Sequence, residues 1–251
     1  MANERIKELA GRVAIVTGAG RNIGRAIALQ LAAGGASVVI NARGSQGEVD
    51  AVAREVEALG AGALPVLADV TDAAAVQRMV DAATRRFGRI DILVNNAAVR
   101  REAAIDDLGA AEWREILGIV LDGAFHCVKA CLPHLRASPA GAVVNIGGLT
   151  GHIGAKNRAH VVTAKAGLAG MTKALAHDLA DAKVTVNCVA PGLIDTPREA
   201  GHPQHRLVNK TLFGHRGAPD DIAAAVRFLC GPQARYITGQ TIHVNGGAYL
   251  G

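Results

Sequence analysis

Apolar and polar positions along this chain alternate between two rhythms. Val13, Ala14, Ile15 and Val16 form a short unbroken apolar run, as in a parallel strand covered on both faces. Thr17, Gly18, Ala19 and Gly20 interrupt it, and from Ile23 the apolar residues return at helical spacing as Ile23, Ala26, Ile27 and Leu31. The same alternation predicts further strands at 37–40, 64–67, 92–94, 142–146, 184–188 and 241–244. It predicts helices at 46–59, 73–87, 110–132, 158–179 and 220–229, the long one from Ala110 ending near Pro133. Ser45 with Glu48 predicts a capping box at the start of the second helix. The expected fold is α/β: a doubly wound (Rossmann) seven-stranded parallel sheet with helices on both faces, forming a single domain over residues 1–251. The one long irregular stretch, 193–217, reads as a lid or substrate loop.

Composition refines this picture. Half of the 251 residues are apolar but only 3% are aromatic, so the core is expected to be aliphatic. No apolar run approaches the ~18–20 residues of a membrane span, and MANERIKELAGR has no signal-like apolar stretch, so the expectation is a soluble cytoplasmic protein. Cys127 and Cys131 stand one helical turn apart and, with Cys188 and Cys230, read as buried small apolar residues; no metal site is expected. The net charge of +5 is modest, and no basic tract interleaved with aromatics suggests nucleic acid. A small anionic ligand explains the charge better.

The first interruption carries the chemistry. A glycine-rich turn between a strand and a helix aims its amides, and the positive end of the helix, at one spot that suits a pyrophosphate. Its spacing, Thr17-Gly18-x3-Asn22-x-Gly24, resembles the T-G-x-x-x-G-x-G turn of the short-chain dehydrogenase/reductase family. Asn22 replaces one glycine, and asparagine tolerates positive φ better than other side chains. Further stretches resemble the same family: Asp69-Val70 where it contacts adenine, Asn95-Asn96-Ala97-Ala98 under the adenosine ribose, and Pro191-Gly192-Leu193-Ile194-Asp195-Thr196 where it fixes the nicotinamide carboxamide. The ending from Tyr236 through Gly247 looks like its β-ketoacyl-(acyl-carrier-protein) reductase branch. The resemblance implies a cofactor site of Gly18, Arg21, Asn22, Ile23, Gly24, Arg43, Asp69, Val70, Asn95, Ala97, Lys165, Pro191, Gly192, Ile194 and Thr196. Arg43 follows the second strand where NAD enzymes carry an acid, and Arg21 lies in the turn, so NADP(H) is the expected cofactor. The resemblance also implies a homodimer or homotetramer built on the two long helices.

The family's proton-transfer residues are where this sequence departs. The lysine of Y-x-x-x-K is Lys165, but Val161 stands at the tyrosine, Gly148 at the serine and Val120 at the asparagine position. The only tyrosines, Tyr236 and Tyr249, lie too near the C-terminus for a shifted alignment to rescue the motif. Two substitutes are expected: His152, in a glycine-rich loop after the fifth strand, and Lys165 itself or a water it holds. His160, about 140° around the helix from Lys165, reads as structural. Arg158 and Arg100 are placed to bind an anionic substrate, with the basic residues of the lid around them. Two readings follow. One is an NADP(H)-dependent oxidoreductase of a small anionic carbonyl or imine-like substrate with an atypical proton route. The other is a catalytically silent NADP-binding sensor or scaffold.

Overall fold

The computed structural model describes residues 7–197 and 211–251. Seven parallel strands, β1 (Val13–Val16), β2 (Ser37–Ala42), β3 (Ala63–Leu67), β4 (Ile92–Asn95), β5 (Ala142–Ile146), β6 (Thr185–Pro191) and β7 (Thr241–Val244), line up in the order β3-β2-β1-β4-β5-β6-β7. β1 sits between β2 and β4, with Val16 opposite Ile40 on one side and Val94 on the other. The order reverses there, which opens a crevice at the carboxyl ends of the strands.

Helices α1 (Asn22–Ala33), α2 (Gln46–Ala58) and α8 (Pro219–Cys230) cover one face. Helices α3 (Ala73–Phe87), α5 (Gly123–Ala137) and α7 (Ala159–Asp178) cover the other. Every residue of β1, β4, β5 and β6 is buried, which is why these strands read as largely apolar rather than alternating, with Asn95, Asn145 and Asn187 as buried polar exceptions. Asp72 caps α3 by accepting from the Ala74 and Ala75 amides, and Gly88 ends it at φ +79°.

Three expectations need correction. The predicted helix at 110–132 is α4 (Ala110–Leu117), a π-helical turn (Gly118–Asp122) and α5, and it runs through Pro133 to Ala137. Pro133 withdraws one helical hydrogen bond, but Lys129 and Pro133 both lie on the exposed side, where water satisfies the freed carbonyl. Taken as one piece, 110–137 is apolar and long enough to cross a membrane by composition, against the expectation that no segment is. Its buried side, including Ile119, Cys127, Cys131 and Leu135, packs instead on the sheet and α3, as in a soluble domain. Among the described residues, Ser45 makes no side-chain cap bond, and Glu48 turns elsewhere. The four cysteines are buried and free, as their apolar neighbourhoods suggest.

Asp91 ties β1 to β4 from below. Its carboxylate is 1% exposed and accepts from the Val13 amide (2.9 Å), the Arg89 guanidinium (2.8 Å from Nε) and the Ser138 hydroxyl (2.5 Å). Burial pushes its pKa up, yet the bonds from Arg89, Ser138 and Val13 outweigh burial and hold it below the ordinary carboxylate value. Asp91→Ala is expected to cost about 2–4 kcal/mol, because a buried amide and hydroxyl lose their acceptor. Urea unfolding should show a lower midpoint at unchanged slope. The Asp91 contribution is present above its unfolded pKa of about 3.9 and disappears as pH falls through the lower folded value.

Candidate active site

The turn after β1 is built as the sequence suggests. Asn22 holds φ +51° and Gly18 φ +61°, with Arg21 in extended backbone ahead of α1. A Cβ on Gly24 would fall 2.2 Å from the Gly18 carbonyl oxygen, so only glycine lets α1 approach the turn this closely. Thr17 and Asn96 fix the turn against the end of β4. The Thr17 hydroxyl accepts from the Asn96 and Ala97 amides at 2.9 and 3.0 Å, and the Asn96 amide group donates to the Thr17 and Gly18 carbonyls. Asn96 was not singled out from the sequence; the doubled asparagine in Asn95-Asn96 was the only signal, and the sequence does not say which one turns inward.

Asn95 is the one that turns inward. Its amide donates to Asn145 Oδ1 (2.9 Å), Asn145 donates to the Thr172 hydroxyl (2.9 Å), and Thr172 donates to the Leu168 carbonyl (2.9 Å). Asn95 Oδ1 itself is buried without a partner among the described residues, beside a cavity with room for about one water that Val120, Ala124 and Leu168 also line. Just beyond β3, Asp69 accepts from the Thr71 amide (2.9 Å) and hydroxyl (2.8 Å). Partial burial raises its pKa, but the Thr71 bonds and the Arg43 charge outweigh burial and leave it lowered. Arg43 therefore stands near Asp69, at the mouth of the crevice. Pro191 closes β6, and Ile194 and Thr196 are buried just beyond it.

Lys165 lies on α7 with its Nζ donating to the Ile146 carbonyl at 2.7 Å. Burial pushes its pKa down to about 8; the Cys188 thiol opposes this and the Arg100 guanidinium adds to it. Arg100 and Lys165 are thus two cations within electrostatic reach at one end of the sheet. A Cβ on Gly148 would meet Lys165 Cγ at 3.7 Å and the Thr150 hydroxyl at 4.0 Å, ordinary contacts with space to spare. Val161, one turn before Lys165 on the same helix, packs with Val120, Ile116, Ala164 and Leu168. This side of the pocket is apolar where the sequence leaves it apolar.

His152 falls in a short helix, α6 (Thr150–Ile153), and its ring meets His243 edge-on at 4.6 Å and stacks on Tyr249 at 5.9 Å. Burial, then the nearby Lys173 charge, hold its pKa below the ordinary value, and His243 is lowered by burial and by His152. This ring cluster is not legible in the sequence, because His152 meets a C-terminal stretch some ninety residues away that carries both His243 and Tyr249. Arg158 precedes α7 and pairs with Glu102, its side chain 14% exposed. Arg101 pairs with Glu115, and His160 is buried with Nε2 3.4 Å from a Glu112 oxygen, neither ring nitrogen having a hydrogen-bond partner among the described residues. Of the expected basic lid, residues 198–210 lie outside the described residues.

A doubly wound parallel sheet, with a glycine turn feeding a helix N-terminus at its switch point, defines an α/β protein of the Rossmann class. The chain belongs to the short-chain dehydrogenase/reductase family. Residues 18–249 match the family model described as Enoyl-(Acyl carrier protein) reductase. The 3-oxoacyl-[acyl-carrier-protein] reductase FabG of Staphylococcus aureus is 39% identical over 240 residues, 94% of this chain and 98% of the relative. The 3-oxoacyl-[acyl-carrier-protein] reductase of Synechocystis sp. is 39% identical over 243 residues, 96% and 98%. Among solved structures, a short chain dehydrogenase from Burkholderia cenocepacia in complex with NADP superposes with a TM-score of 0.90 at 36% identity, covering 96% of this chain and 99% of that one. A blue fluorescent protein from a metagenomic library, in complex with NADPH, gives 0.91 at 33% identity over 97% and 100%.

Proposed function

We propose that this protein is an NADP(H)-dependent oxidoreductase acting on a small anionic carbonyl or imine-like substrate, with Lys165 in place of the missing tyrosine as the proton source. The observation that carries this reading is Lys165 itself. It is anchored to the Ile146 carbonyl at the carboxyl end of β5, with its pKa brought down to about 8. An ammonium with that pKa gives up a proton far more readily near neutrality than an ordinary lysine does. The cofactor fits: the Asn22 and Gly18 conformations and the close approach at Gly24 form the turn such a group needs, and Arg21 and Arg43 flank its phosphate end. When bound, the cofactor supplies the hydride.

The residues of this chain do the rest. Gly18 through Gly24 and the α1 N-terminus hold the pyrophosphate, while Asp69, Val70, Asn95 and Ala97 frame the adenosine side. Pro191, Gly192, Ile194 and Thr196 orient the nicotinamide, and Lys165 delivers the proton to the developing alkoxide. Arg100, near Lys165, favours an anionic substrate. Arg158 contributes less than its charge suggests, because Glu102 already compensates it. Burial and the Lys173 charge both disfavour protonated His152, so we assign it a secondary part. An iminium substrate already carries its proton and needs no acid at all. We further propose a cytoplasmic, homodimeric or homotetrameric protein whose residues 1–251 form one dinucleotide-binding domain.

The apolar surroundings of Val161 and Val120 favour a second reading, a silent NADP-binding sensor or scaffold. Binding of NADPH followed by its oxidation across ketone, imine and enoyl panels separates the two, with deuteride transfer as the sensitive readout. Labelled product from any substrate removes the silent reading. Tight binding with no transfer anywhere removes the enzymatic one.

A further inference from the structure

The corner where the glycine turn, the end of β2 and the start of α2 meet carries charge of both signs. A Cβ on Gly20 would lie 3.0 Å from Glu48 Oε2, 3.1 Å from Glu48 Cβ and 3.9 Å from Ala42 Cβ. The Glu48 carboxylate therefore rests against the turn's backbone, at the carboxyl ends of β1 and β2. In a doubly wound sheet this corner receives the adenosine ribose, where a carboxylate accepts from the ribose hydroxyls and a guanidinium pairs with a 2′-phosphate. The strand end itself offers Ala42 and Arg43 and no acid; the fold brings the acid from the first turn of α2. Glycine at position 20 is what leaves room for it.

We infer that Glu48 is a specificity-determining residue of the dinucleotide site, setting the balance between a free ribose 2′-hydroxyl and a 2′-phosphate, so that the chain accepts both NADP(H) and NAD(H). The inference rests on the dinucleotide reading above. A 2′-phosphate in this corner meets a like charge at Glu48 and opposite charges at Arg21 and Arg43, so its attraction is partly cancelled. A 2′-hydroxyl finds in Glu48 a charged acceptor, the stronger kind of hydrogen-bond partner. Both effects compress the preference that two arginines alone would impose.

Calorimetric titration of NADPH and NADH into the full-length protein, its Glu48→Gln and Glu48→Asp variants, and Arg43→Ala tests this. The wild-type affinities should lie within about tenfold of each other. Glu48→Gln removes the charge at nearly constant size and should tighten NADPH and weaken NADH, each by about three- to tenfold. Glu48→Asp, which keeps the charge, should stay nearer the wild-type ratio, and Arg43→Ala should move it the opposite way, towards NADH. A ratio unchanged within twofold in Glu48→Gln overturns the assignment, as does a wild-type preference beyond about a hundredfold for either dinucleotide. If neither dinucleotide binds the wild-type protein, the dinucleotide reading itself falls and takes this assignment with it.

Discussion

Replacing Lys165 by methionine should lower the reduction rate of a neutral ketone by about 10²–10⁴-fold, the range of a single general acid. Methionine keeps most of the stem's volume and removes the charge, so the packing around α7 is preserved while the proton source is lost. The fall should appear in kcat as well as in kcat/KM, because the ammonium acts on charge that develops only in the transition state. The wild-type pH profile supplies an independent sign. Burial destabilises the charged form and brings the pKa to about 8, so the acid is loaded below that pH and empty above it. Ketone reduction should therefore be level up to about pH 8 and decline roughly tenfold per unit beyond it. A pre-formed iminium should lack this alkaline limb. A Lys165→Met variant within about threefold of wild type would assign the proton to another group.

The second large effect runs in the opposite direction. Gly148→Ser combined with Val161→Tyr restores a hydroxyl acid and its partner: it should raise ketone reduction by about 10²–10⁴-fold if the wild-type chain is silent, and by much less if Lys165 already serves as the acid. The structure accommodates both. The nearest atoms to a Cβ at Gly148 are 3.7 and 4.0 Å away. Val161 is only partly buried, so a larger ring has room on its open side. Four residues separate positions 161 and 165, which puts them on one helix face, where the Lys165 ammonium would stabilise a tyrosinate and lower the phenol's pKa. The readout is NADPH oxidation with a ketone, alongside thermal unfolding to confirm that the doubly substituted chain folds. If the wild-type protein already reduces that ketone as fast as the double variant, Val161 and Gly148 are not where the ordinary chemistry was lost. If activity is present only in the double variant, the silent reading gains.

The family match also gives meaning to what the pocket lacks. The relatives named above are 3-oxoacyl-[acyl-carrier-protein] reductases, and in this chain the pocket wall is built from Val120, Val161, Ile116 and Leu168. Turn geometry and wall chemistry are set by different residues, so one can change while the other stays. The buried Asn95–Asn145–Thr172 chain, with Asn95 Oδ1 unbonded among the described residues beside a water-sized cavity, lies behind that wall.

Much of this protein was legible in the linear order of its residues, because the forces involved are local. Buried parallel strands need largely apolar runs, so β1 and β5 fall at the predicted residues, as does the half-buried β7, and α3 between Asp72 and Gly88 needs only its own caps and stripe. The glycine turn was equally readable, since positive φ at Gly18 and Asn22 is a property of those residues and their neighbours. The tertiary structure decided what depends on surfaces distant in sequence. A helix continues through Pro133 because that side faces water. Glu48 serves the Gly20 corner rather than a cap, and His152 joins His243 and Tyr249 of the C-terminal stretch. Lys165 shows the division most plainly. Its identity and spacing come from the sequence, but its lowered pKa comes from burial and from a guanidinium on another loop, which only the folded chain brings together.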